Sequence, residues 1–259
     1  MDKKREREGE CMKLSAIEIS ENWSELQSIV DESFTGDRLE KIRLLQEHFK
    51  NRMMIAPASG VNWFHNAFPG GYVAHVLNVI TWAKKYYGLF DEMNMYVDDL
   101  SDETVVFCAM FHDLGKVGNL EKDYYVPNPD GWKAKKYGRP YDHNPELNYM
   151  TVTDRAMWIL NQFEIPMSET EYIGIRMADG LYADANKPYF LEGVEWKTIK
   201  TNIGFIIHYA DSSSARQEKE KYMFSGEAPI DFPKIMKGVT KEDPVLENLD
   251  VDKLEDLFK

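Results

Sequence analysis

The feature that most constrains this chain is an apolar run that ends on an adjacent histidine and aspartate. The run begins at Val105 and passes into a His-Asp-Leu-Gly-Lys segment at residues 112–116. Val105, Ala109 and His112 recur at intervals of four and three residues, so a helix would place the imidazole on its buried face. An imidazole nitrogen beside a carboxylate oxygen suits a divalent cation such as Mn, Fe, Zn or Mg. The stretch therefore predicts a buried helix that presents two metal ligands at its end.

Other apolar patterns of helical period surround this segment and predict an all-α fold. We expect helices over residues 23–34, 37–54, 72–87, 149–163 and 196–219. Ser101 is a predicted N-cap for the central helix, and Ser168 with Glu171 predicts a capping box for a short helix that ends near residue 178. We divide the chain into a disordered head (1–13), a helical domain (14–224) and an acidic C-terminal extension (225–259).

Two segments resist a helical interpretation. Residues 56–71 are rich in Gly, Pro, Asn and aromatic residues and lead directly into the helix that carries His75. Residues 117–148 carry aromatic and basic residues, and Asp130-Gly131 predicts a short hairpin there. Such an insertion can be an active-site lid or an ordered surface loop without chemical importance, and the sequence leaves both open.

Net charge bears on the partners of this chain, and cysteine content bears on its cellular compartment. The formal net charge of −13 disfavours extended binding along a nucleic-acid backbone, although such acidity also simply keeps a protein in solution. No apolar run approaches the roughly 20 residues of a membrane span, and residues 1–10 do not look like a secretory signal. Two cysteines make no disulfide framework, so we expect a cytoplasmic protein. The oligomeric state stays open.

Four polar residues lie within or at the ends of the apolar helices: His75, His112, Asp113 and Asp211. A buried polar group without a partner costs roughly 1–3 kcal/mol or more. Taken singly, His75 fits a hydrogen-bonded core histidine, and Asp211 fits an ion pair with Arg216. Taken together, the four residues fit the donor set of a divalent metal ion.

The order His75, His112-Asp113, Asp211 resembles the HD-domain superfamily of metal-dependent phosphohydrolases, over roughly residues 40–220. Residues 57–75 are further similar to the entry segment of bacterial HD-domain 3′–5′ exoribonucleases and of HD regions in conjugative relaxases. Those proteins typically read His-His-Ala where this chain has His65-Asn66-Ala67. The sequence therefore departs from the pattern at Asn66.

The resemblance implies an HD-type helical bundle that holds one or two divalent ions (Mn, Fe, Mg, Zn, Co or Ni). It implies four metal ligands: His75, His112, Asp113 and Asp211. A later histidine pair expected within residues 173–179 is absent, so Asp179 could substitute there. His143 stands where an extra ligand or a proton donor could fall.

The implied reaction is attack of a metal-activated water on phosphorus, with Asp113 accepting or orienting the proton of that water. Lys116 either contacts a substrate phosphate or complements the helix dipole. The expected catalytic residues are Asp113, Lys116 and His143. The expected substrate-binding residues are His65, Asn66, Lys116, Lys135, Lys136, Arg139 and Arg176, with Trp132, Tyr124, Tyr125 or Tyr182 available to stack on a base.

The sequence thus predicts a phosphohydrolase that cleaves a phosphoester of a nucleotide or very short oligonucleotide. The alternatives are a 3′–5′ exonuclease on single-stranded nucleic acid and a non-catalytic HD module that uses its metal for regulation.

Overall fold

The computed structural model describes residues 14–62, 64–191 and 198–224, and the centre of its fold is formed by three helices, α3 (Gly71–Glu92), α4 (Asp102–Phe111) and α9 (Ile203–Phe224). Helix α3 packs against both α4 and α9. The helices are α1 (Ala16–Ser33), α2 (Gly36–Ile55), α3 (Gly71–Glu92), α4 (Asp102–Phe111), α5 (Gly131–Tyr137), α6 (Val152–Gln162), α7 (Glu169–Met177), α8 (Lys187–Phe190) and α9 (Ile203–Phe224). The predicted all-α class is confirmed.

The predicted apolar stripes form the core of this bundle. All seven residues of α4 from Val105 to Phe111 are buried, and Ile203, Ile206 and Ile207 of α9 are fully buried against them. Helix α7 packs on α4 and α9, where Gly174 lies against the buried Cys108. The periodicity of the sequence therefore identifies the faces that meet at the centre of the molecule.

Helix starts follow the capping residues. The Ser101 hydroxyl accepts the N–H of Thr104, as predicted. Ser168 and Glu171 form the predicted capping box. The helix expected at 149–163 begins later, at Val152, because the Thr151 hydroxyl accepts the N–H of Asp154 and fixes the first turn there.

The prediction of a tight hairpin turn at Asp130-Gly131 is wrong, although two strands flanking this segment do pair. Strands β1 (Tyr125–Pro127) and β2 (Tyr141–His143) do pair in antiparallel register, with Val126 opposite Asp142. Their connection, however, contains α5, because three lysines and Ala134 in the segment after Asp130 favour helix, and the Ala134 N–H donates to the Asp130 carbonyl. The expectation that no helix lies between 117 and 148 fails for the same reason.

Helix α9 was also predicted to start too early, at residue 196. Residues 198–202 are not helical, and the Thr201 hydroxyl accepts the N–H of Ile203, where the helix begins. The expected loop at 179–193 contains short 3₁₀ turns at Gly180–Tyr182 and Asp184–Asn186, followed by α8. The predictions for residues 1–13 and 225–259, and for the Lys135 side chain, lie outside the described residues.

Gly115 allows the close approach of two backbone segments at the end of α4. A Cβ at Gly115 would lie 2.0 Å from the carbonyl oxygen of Val152, an overlap that only a backbone shift can relieve. We expect Gly115→Ala to lower the free energy of unfolding by about 2 kcal/mol or more. The matched control is Gly88→Ala in α3, where a Cβ would meet nothing within 4 Å and should stabilise the helix by up to about 1 kcal/mol. Urea unfolding measures both, and equal stabilities for the two variants would contradict this account.

Candidate metal centre

The four residues predicted to hold a metal converge where α3, α4 and α9 meet. His75 lies on α3, His112 is the C-cap of α4, Asp113 follows it, and Asp211 lies on α9. His75, His112 and Asp113 are all at least 95% buried. The side chain of Asp211 is 24% exposed, so the cluster is reached from solvent on the α9 side.

The hydrogen bond of His112 fixes which of its nitrogens faces the cluster. Nδ1 lies 2.8 Å from the carbonyl oxygen of Ala109, which can only accept, so Nδ1 carries the proton. In the neutral ring Nε2 then holds a lone pair. Nε2 lies 3.5 Å from Asp113 Oδ2 and 3.7 Å from Asp211 Oδ1. His112 therefore presents a ligand nitrogen to both carboxylates.

His75 is oriented in the same way by a carboxylate. Its Nδ1 lies 3.1 Å from Glu218 Oε2, and its Nε2 lies 3.1 Å from Asp211 Oδ1 and 3.6 Å from Asp113 Oδ2. Despite these short separations, neither His75 Nε2 nor His112 Nε2 has a partner in hydrogen-bond geometry within the part of the chain that the structure describes, and both atoms are buried. Two imidazole nitrogens that face two carboxylates could together hold a divalent metal ion.

The chemical type of the ligand atoms limits which metal ions this group could bind. Two imidazoles with two carboxylates suit Zn, Mn, Fe, Co or Ni, whereas Mg prefers oxygen ligands and water. His75, His112 and Asp211 each offer a ligand atom within 4.8 Å of the others, which is close enough for one ion. The described residues thus contain a group that could hold a metal ion.

Lys116 adds a positive charge beside this group. The 3₁₀ turn Leu114–Val117 brings its Nζ to 2.6 Å from Asp113 Oδ2. Burial opposes the charge on both groups, but the ion pair raises the pKa of Lys116 and, with His112, holds the pKa of Asp113 well below its usual range. The partner of Lys116 is therefore Asp113, and its predicted contact with a substrate phosphate stays a prediction.

The two imidazoles are basic for the same electrostatic reason. Burial alone would lower the pKa of His75, but the carboxylates of Glu218 and Asp211 outweigh it and raise that pKa to about 9. Burial is likewise outweighed at His112, where Asp113 and Asp211 raise the pKa to about 10. Asp211 is only partly buried, and the two imidazoles hold its pKa far below the usual range. Arg216 pairs with Glu220, so the alternative of an Arg216–Asp211 ion pair is wrong.

Sequence reasoning missed Glu218. This residue is 3% exposed, accepts a hydrogen bond of 2.9 Å from the Asn78 amide, and lies within 4.8 Å of ligand atoms of His65 and His75. The sequence feature that indicates Glu218 is its distance from Asp211. It follows Asp211 by seven residues, or two helical turns, and so lies on the same face of α9. The ring of His65 is tilted by 37° against that of His75, with ring centroids 4.6 Å apart, and its predicted role in substrate binding stays a prediction.

Three of the remaining predicted residues lie on the insertion and engage neighbours there. His143 is exposed and its ring lies 5.0 Å from that of Tyr124. Arg139 pairs with Asp142 at 2.7 Å, and Lys136 lies over the Trp132 ring at 4.3 Å. Their roles at the site stay predictions.

Two more predicted residues and one substitute ligand lie nearer the helices. Asn66 is buried with a left-handed backbone (φ 41°), and its carbonyl accepts the N–H of Ala58. Arg176 is half-buried in the last turn of α7. Asp179 accepts a hydrogen bond of 2.8 Å from Thr153, and burial together with the charge of Asp113 raises its pKa. The roles predicted for these residues also stay predictions.

No protein-family model, curated protein or solved structure matches this chain. Among the described residues, none of the helices has both the length and the apolar character that crossing a bilayer requires.

Because His75 and His112 are protonated at neutral pH without a metal, metal binding must displace their protons. Because the pKa values of His75 and His112 are about 9 and about 10, raising the pH from 6 to 8 makes their protons easier to displace. The apparent affinity for the metal should therefore rise over this range. Each displaced proton contributes about a tenfold change per pH unit. Titration with Co²⁺ at pH 6, 7 and 8 measures this slope, and an affinity independent of pH would contradict the assignment of both imidazoles as ligands.

Proposed function

We propose that this protein is a metal-dependent phosphohydrolase of the HD type, acting on a phosphoester of a nucleotide or very short oligonucleotide. The observation that carries the proposal is the pair of buried Nε2 atoms of His75 and His112, which face two carboxylates beside a lysine and make no hydrogen bond to any described residue. A structural ion would need no opening to solvent, but Asp211 is partly exposed. That opening favours catalysis over the non-catalytic module.

His75, His112, Asp113 and Asp211 would hold the ion. When bound, a divalent cation lowers the pKa of a coordinated water and polarises a phosphoryl oxygen. Asp113 stays ionised because of its ion pair with Lys116, so its carboxylate can accept a hydrogen bond from the attacking water and orient it. Lys116 stays protonated and can stabilise negative charge that develops on phosphate oxygens.

The basic residues of the insertion support a small substrate. Arg139 is neutralised by Asp142, and Lys136 lies over aromatic rings, so these cations are already engaged. The whole chain carries a charge of −13. Extended contact with several phosphates of a strand is therefore disfavoured, and the exonuclease is the weaker candidate.

A groove with aromatic walls beside α9 supports a nucleotide as the substrate. It is lined by Leu181, Tyr182, Phe190, His208 and Tyr209. His208 and Tyr209 lie on α9 within one turn of Asp211. The Tyr182 side chain is 98% exposed at the groove, where a base could stack on its ring.

A screen of nucleotides and labelled oligonucleotides with added Mn²⁺ tests the activity. We expect hydrolysis of mononucleotides with a KM that depends weakly on salt, and loss of both metal binding and turnover in His112→Ala. Glu220→Gln, an exposed change on α9, is the control and should retain both. Steep salt dependence with processive shortening of long strands would favour the exonuclease, whereas metal binding without turnover on any phosphoester would favour the regulatory module.

Tyr182→Ala tests the proposed stacking contact. Since base–aromatic stacking contributes about 1–3 kcal/mol, KM for the nucleotide should rise about fivefold or more. Hydrolysis of p-nitrophenyl phosphate, which lacks a nucleobase, should change much less. Tyr149→Ala is the matched control, because Tyr149 is 93% exposed but does not line the groove. Equal KM values for wild type and Tyr182→Ala would remove the groove from the substrate site.

A further inference from the structure

We infer that Glu218 is a positioning residue, whose carboxylate accepts the Nδ1–H of His75 and thereby keeps Nε2 of His75 as the lone-pair nitrogen aimed at the metal. This inference rests on the proposed function, because it assigns a role within the same centre. It adds a residue that the sequence resemblance does not supply.

The geometry of Glu218 is specific on both sides. Its Oε2 lies 3.1 Å from His75 Nδ1, and its Oε1 accepts the Asn78 amide at 2.9 Å. His75 and Asn78 are three residues apart on α3, so one face of that helix supplies both contacts. The carboxylate is thus held in one orientation against the imidazole edge that points away from Asp113 and Asp211.

The burial of Glu218 supports a role in the centre. Only 3% of the surface of Glu218 is exposed. Among the described residues, no Lys or Arg pairs with its carboxylate. Its partner is the imidazole of His75, and once a metal replaces the Nε2 proton that ring no longer offers a full positive charge to the buried carboxylate, a loss that costs several kcal/mol in such a place. A metal on the far nitrogen of His75 would compensate this cost, because it makes the Nδ1–H a stronger donor to the carboxylate.

Glu218 could instead be a ligand of a separate ion, since His65, His75 and Glu218 also offer ligand atoms within 4.8 Å of one another. Charge argues against that arrangement. With neutral imidazoles, the carboxylates of Asp113, Asp211 and Glu218 exceed the single ammonium of Lys116 by two charges, which one divalent ion neutralises. An ion on the Glu218 side would also have to replace the Nδ1 proton of His75.

The test compares Glu218→Gln with Glu220→Gln in the full chain, using Co²⁺ as the probe. Wild type should bind one Co²⁺, and Glu218→Gln should bind it about 10–100-fold more weakly, with altered visible absorption of the bound ion. Glu220→Gln changes an exposed carboxylate on the same helix and should match wild type in both readouts. A helical spectrum and thermal unfolding check that each variant is folded.

Asn78→Ala keeps Glu218 but removes its orienting amide, so it covers the case in which Glu218→Gln fails to fold. We expect Co²⁺ affinity to fall about three- to tenfold in Asn78→Ala. Wild-type affinity and absorption in folded Glu218→Gln would overturn the positioning role while leaving the hydrolase proposal intact. Two Co²⁺ ions in wild type and one in Glu218→Gln would make Glu218 a ligand instead, and no Co²⁺ binding by wild type would overturn the metal centre itself.

Discussion

The burial of ionisable groups at the junction of α3, α4 and α9 is the constraint on which the rest of this structure depends. His75, His112, Asp113 and Glu218 are almost wholly buried, and Lys116 is the one ammonium paired with them among the described residues. Desolvating each charge costs several kcal/mol unless it gains a partner of opposite sign. A divalent cation between the two Nε2 atoms and the carboxylates satisfies this requirement with a single group.

The surrounding fold keeps these groups in place through rigid contacts. Helix α3 supplies His75 and Asn78, and α9 supplies Asp211 and Glu218, so the most extensively packed pair of helices carries most of the centre. Close backbone contact at Gly115 lets the turn after α4 bring Lys116 back to Asp113. The helix contacts that form the core therefore also set the positions of the residues of the centre.

Much of the fold was predictable because buried helices leave a strong period in the sequence. The stripe of α9 at Ile203, Ile206 and Ile207 placed Asp211 on an inward face, and the apolar run of α4 did the same for His112. The predictions failed where local chemistry decides: Asp130-Gly131 starts a helix here, and Thr201 sets the start of α9. Single-residue capping bonds shift such boundaries without changing the apolar period.

Glu218 escaped prediction for a different reason. Its spacing from Asp211 was readable, but a glutamate near the polar end of a long helix is usually solvated. Only the approach of α3 shows that Glu218 lies against His75. Sequence patterns place residues on faces of helices, whereas the partner of each face comes from tertiary packing.

Anomalous diffraction from crystals grown with Mn²⁺ is the most direct test of the central claim. We expect one peak within about 2.0–2.3 Å of His75 Nε2, His112 Nε2, and carboxylate oxygens of Asp113 and Asp211. No peak at this position, or a peak only on the acidic surface, would contradict it.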